Sequence, residues 1–136
     1  NHEQAEQSRI KLISFIEELG KEHPFDAARV YLCGFSQGAI MAYSVALTRP
    51  DLVRGIAAMS GRLLEEVKPL VKPSPALKQL SVFISHGTQD GTLPVHYARE
   101  ADAYLRSIGI TPTLKTYNEG HTINAVMLAD LLVWLK

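Results

Sequence analysis

From Val30 to Ile40 the chain reads VYLCGFSQGAI, and this stretch limits the possible folds more than any other. Apolar residues with strand character stop at Gly34, Ser36 stands between Gly34 and Gly38, and an apolar, small-residue helix pattern begins at once. A G-x-S-x-G run in that setting predicts a strand, a sharp turn and a helix, with the serine forced out at the tip. Such a turn holds the serine backbone in an unfavourable conformation and needs small neighbours on both sides. The following helix aims its free N–H groups and the positive end of its dipole at the turn. Ser36 is therefore a candidate nucleophile, although the motif without its flanking strand and helix would carry little weight.

The rest of the chain repeats the strand-then-helix alternation. Residues 4–19 predict an amphipathic helix centred on Leu12, Ile16 and Leu19, widened by Ala5, Ile13 and Phe15, with Gly20 as its stop. Strands are expected at 29–33, 55–59, 81–85 and 113–117. Helices are expected at 37–48, from Pro94 to Gly109 with Ala98, Ala101, Leu105 and Ile108 inward, and at 124–135. The segment 62–80, punctuated by Pro69, Pro73 and Pro75, predicts a surface connection with one helical turn, or alternatively a greasy flap over an acyl pocket. Right-handed crossovers turn this order into a three-layer αβα sandwich with a mainly parallel sheet.

Composition narrows the function classes. The 136 residues form a single domain by length, 1–136, and 46% hydrophobic with 21% charged content is ordinary for a globular chain. Lys plus Arg and Asp plus Glu number 14 each, so no charge excess argues for nucleic acid. No apolar run is long enough to span a bilayer. Cys33 stands alone, which rules out an internal disulfide, suits a cytoplasmic setting, and predicts a small buried residue at a strand end. Asn1 in place of Met leaves an N-terminal signal open. The chain is expected to be a monomer or homodimer, because so apolar a final helix permits a dimer.

A serine hydroxyl needs a base to take its proton, and the base needs a carboxylate to fix its tautomer. Ligands of parallel sheets sit at the carboxyl ends of strands. Ser36, Asp90 and His121 each follow such an end. Where the order is serine, acid, histidine, His2, His23 and His86 precede the acid and drop out, and His96 falls on a helix surface. Asp51 and Asp102 belong to helices, and Glu119 is too near His121 in sequence, which leaves Asp90.

The runs Gly34-Phe35-Ser36-Gln37-Gly38, His86-Gly87-Thr88-Gln89-Asp90 with Leu93-Pro94, and Gly120-His121 together resemble the phospholipase/carboxylesterase family of α/β-hydrolases, which includes acyl-protein thioesterases. The resemblance extends from about Asp26 to the C-terminus. It implies the α/β-hydrolase fold without its N-terminal strands, with Ser36 as nucleophile, Asp90 as orienting acid and His121 as general base. It also implies the Gln37 backbone N–H as one oxyanion donor and His86 as a structural member of the loop before the acid. The implied activity is hydrolysis of a small-molecule carboxylic ester, in some members a thioester or lysophospholipid, without metal or cofactor. The second oxyanion donor of such enzymes comes from a Gly-containing loop after an earlier strand, and no such loop precedes Ser36. The chain is accordingly expected to start partway through a longer protein. The alternative reading is a non-catalytic hydrolase-like module that binds an acyl ligand or a protein partner through an open sheet edge.

Overall fold

In a computed structural model that describes residues 2–136, the His2 side chain excepted, four strands line up side by side in chain order. They are β1 (Tyr31–Phe35), β2 (Gly55–Met59), β3 (Ser81–Gly87) and β4 (Thr113–Tyr117), all parallel. The register sets Phe35, Met59 and Ser85 level with one another. The residues that follow, Ser36, Ser60 and His86, therefore emerge along one rim.

Helices cover both faces. On one face α2 (Gln37–Thr48) and α4 (His96–Ser107) pack with the short α3 (Pro75–Lys78) against Ile56, Ala58, Val82 and Ile84. On the other, α5 (Ala125–Leu135) sets Leu131, Trp134 and Leu135 on Ala57, Met59 and Phe83. Outside α2 lies α1 (His2–Glu22), which inserts Ile13 and Ile16 against Val45. Burying each such side chain stabilises the fold by roughly 1.5–3 kcal/mol. The Asn124 side chain caps α5 by accepting from the Met127 N–H at 2.8 Å.

Several sequence expectations need correction. Helix α1 runs through Gly20 to Glu22, because Pro24 and not the glycine ends it. Phe15 and Leu19 stay exposed, since α2 meets only one narrow stripe of α1. Residues 27–29 form a 3-10 turn capped by Asp26, so β1 begins two residues later than expected. Cys33 is exposed, because β1 turns Tyr31, Cys33 and Phe35 to the α5 face, where Trp134 reaches Tyr31 but Cys33 stays uncovered. The segment 62–80 holds a 3-10 helix, Glu65–Leu70, as well as α3, and its Leu63, Val67, Leu77 and Leu80 are core residues. Strand β3 extends through His86 and Gly87, beyond the expected end at Ser85.

Candidate active site

The turn after β1 takes the strained form that its sequence requires. Ser36 has φ 58° and ψ −114°, and its N–H donates to the Met59 carbonyl at 2.9 Å. A Cβ on Gly34 would collide with the Gly38 backbone, so the strand and α2 can approach this closely only with glycine there. Gln37 opens α2, where the first-turn N–H groups lack carbonyl partners within the helix.

The loops after β3 and β4 are laced together. Thr88 N–H donates to the Tyr117 carbonyl at 2.7 Å and Gln89 N–H to the Glu119 carbonyl at 2.9 Å. Gly87 permits this, since any Cβ there would strike the carbonyl oxygens of Glu119 and Gly120. The lacing brings Asp90 to His121. Oδ2 of Asp90 lies 2.7 Å from His121 Nδ1, and His121 Nε2 lies 3.0 Å from Ser36 Oγ.

Chemistry assigns the protons in this chain. A carboxylate only accepts, so His121 Nδ1 carries the hydrogen and donates it to Asp90. The Nε2 lone pair then faces Ser36 and accepts the hydroxyl proton. Oδ1 of Asp90 accepts from the N–H groups of Thr92 at 2.9 Å and Leu93 at 2.8 Å. Burial by itself would push the Asp90 carboxyl up, but the hydrogen bonds from His121, Leu93 and Thr92 outweigh it and hold the group below the usual carboxylate range. Asp90 is therefore ionised and ready to stabilise positive charge on His121.

The other candidates lie elsewhere. His23 is exposed. His96 faces solvent with Nδ1 3.2 Å from Glu100. Asp51 pairs with Arg49 at 2.9 Å and Asp102 with Arg106 at 3.2 Å. Glu119 accepts from the Asn124 amide at 3.1 Å and does not bond to His121. The His2 side chain lies outside the described residues. One feature escaped the sequence. The Phe35 ring packs 4.8 Å from the His121 ring and fixes its face, a contact hinted at only by the bulky residue inside G-x-S. His86, which the resemblance implies as a structural member of the loop before the acid, sits beside Asp90, with Nε2 3.4 Å from Oδ2.

A cavity of about 420 Å³ opens beside the turn, lined in part by Gln37, Ile40, Met41, Arg62 and Leu64. Among the described residues no group of three or more His, Cys, Asp or Glu is arranged to hold a metal ion, and no helix is long and apolar enough to cross a membrane.

The whole of residues 1–136 matches the model of a family described as Phospholipase/Carboxylesterase. The chain is 32% identical over 108 residues to a probable carboxylesterase SOBER1-like of Arabidopsis thaliana, covering 79% of this chain and 41% of that protein. It is 33% identical over 111 residues to acyl-protein thioesterase 1 of Gibberella zeae, covering 79% of this chain and 47% of that protein. The chain thus spans less than half the length of both relatives. The crystal structure of Arabidopsis thaliana SOBER1 superposes with a TM-score of 0.87 over 99% of this chain and 64% of the other, at 24% identity, which is a likeness of fold. The parallel sheet and its helices are those of an α/β-hydrolase fold that lacks strands ahead of β1.

Proposed function

This chain belongs to the phospholipase/carboxylesterase family, and from that premise we propose that it is a serine hydrolase cleaving carboxylic esters, including thioesters or lysophospholipids, through an acyl-enzyme. Ser36 Oγ attacks the carbonyl carbon while His121 Nε2 takes the hydroxyl proton. Asp90 holds Nδ1–H and stabilises the imidazolium that results. Negative charge on the former carbonyl oxygen falls to the Gln37 N–H and the positive end of α2. The imidazolium returns its proton to the departing alcohol or thiol, and water then releases the acid by the same route. The cavity beside Gln37 has room for a short acyl group, with Ile40, Met41 and Leu64 as its apolar lining.

The observation that carries this reading is the unbroken line of contacts, 2.7 Å from Asp90 to His121 and 3.0 Å from His121 to Ser36. Turnover of a short-chain nitrophenyl ester is its test. Ser36→Ala is expected to abolish turnover, and a variant that kept the full rate would overturn the assignment.

A further inference from the structure

Ahead of Asp90 the loop is tied to the segment after β4, but the residues just after Asp90 have few side-chain anchors. Gly91 and Thr92 are exposed, and a Cβ at Gly91 would meet open space. Yet two N–H groups of this loop fix Asp90 Oδ1. Something has to fix the loop.

His86 does so from the sheet. Its side chain is 1% exposed on β3, and its Nε2 lies 2.6 Å from the Leu93 carbonyl oxygen. A carbonyl oxygen only accepts, so Nε2 carries a proton and donates it there. Leu93 is thereby gripped twice, its carbonyl by His86 and its N–H by Asp90 Oδ1 at 2.8 Å. The same Nε2–H lies 3.4 Å from Asp90 Oδ2, the oxygen that meets His121. That separation is too long for a second good hydrogen bond. In a buried site a donor dipole at this range still favours the ionised carboxylate. The Leu93 carbonyl matters here too. The opposite tautomer would turn a lone pair towards Oδ2, and the 2.6 Å bond to Leu93 forbids it.

We propose that His86 is a positioning residue for ester hydrolysis, holding the Leu93 peptide whose N–H fixes Asp90 Oδ1, so that Asp90 keeps the His121 ring in line with Ser36. The proposal rests on the serine-hydrolase reading above. It does not require His86 to touch substrate or to exchange a proton during turnover. Losing the grip frees the carboxylate to rotate, and misplacement on the scale of an ångström costs about 10²-fold in rate.

A double-mutant cycle in the full chain tests it. His86→Phe, which keeps a ring but no donor, is expected to lower kcat by about 10–10²-fold with KM unchanged. His86→Gln, whose amide N–H can reach the Leu93 carbonyl, is expected to recover most of that loss. In an Asp90→Asn background the His86→Phe change is expected to cost little further, because its effect runs through Asp90. An equal penalty in both backgrounds, equal losses in the Phe and Gln variants, or a change confined to KM would overturn the proposal. Should His86→Phe fold poorly, His86→Asn takes its place, since the shorter amide stops short of Leu93. The same ordering is expected. If Ser36→Ala abolishes turnover and the cycle is additive, the hydrolase reading stands and the role of His86 fails. If Ser36→Ala retains turnover, the hydrolase reading itself fails.

Discussion

Ser36 and Ser60 share a positive φ but not their surroundings. Each follows a strand's carboxyl end at positive φ, 58° and 54°, and each donates its N–H to the neighbouring strand, to Met59 at 2.9 Å and to Ser85 at 2.8 Å. Strain of this kind costs roughly 1–3 kcal/mol per residue, so the fold sustains it twice. Only one of the two has a base. The hydroxyl of Ser36 is half-buried and lies 3.0 Å from His121, while that of Ser60 is fully buried and meets no hydrogen-bond partner among the described residues. A strained serine on the rim is therefore not sufficient for chemistry. What separates the pair is the arm of Asp90 and His121 that the loops after β3 and β4 extend over Ser36.

The largest expected effect comes from cutting that arm. Asp90→Asn keeps the shape but offers Nδ1 of His121 no fixed acceptor charge, and kcat is expected to fall by about 10⁴. Steady-state kinetics on a nitrophenyl ester measure it, and a loss smaller than tenfold would leave Ser36 little different from Ser60. A smaller effect concerns stability. The folded-state pKa of Asp90 is depressed, so its contribution is complete above its ordinary unfolded value of about 4 and is lost as pH falls through the lower folded value. The gap in urea midpoint between the wild type and Asp90→Asn is expected to be constant above about pH 5 and to narrow below about pH 4. A gap that stayed level down to pH 3 would contradict a depressed carboxyl. The smallest effect is at the other serine. Ser60→Ala removes a buried hydroxyl that has no partner, so both kcat and the midpoint are expected to move little, by about 0.5 kcal/mol or less in stability. A large loss of kcat would show that Ser60 belongs to the chemistry after all.

The sheet and the positions of Ser36, Asp90 and His121 were legible because local signals coincide at each. Gly34 and Gly38 bracket the first, and the second and third lie on loops a few residues past expected strands. The strand limits of β2 and β4 and the span of α2 match the sequence expectation, each stretch of strand or helix formers being closed by turn residues. Features that depend on contacts distant in sequence were not legible. Cys33 looks like a core residue until the α5 face of β1 proves uncovered. Leu77 and Leu80 look like loop residues among prolines, yet both are buried in the core that α2 and α4 share. His86 marks the same limit in part: the resemblance implies its place in the loop before the acid, but not its partner. Only the path of the loop back to Leu93 shows what it holds. The positive φ of Ser60 is equally hidden, since Ser60-Gly61 reads as an ordinary turn.

The central claim is that Ser36, and no other serine, is activated by His121. Reaction with a fluorophosphonate, followed by intact mass and peptide mapping, addresses it directly. The expected result is one adduct per chain on Ser36, formed rapidly in the wild type and suppressed in His121→Gln. No adduct, an adduct on Ser60, or an undiminished rate in His121→Gln would contradict the account.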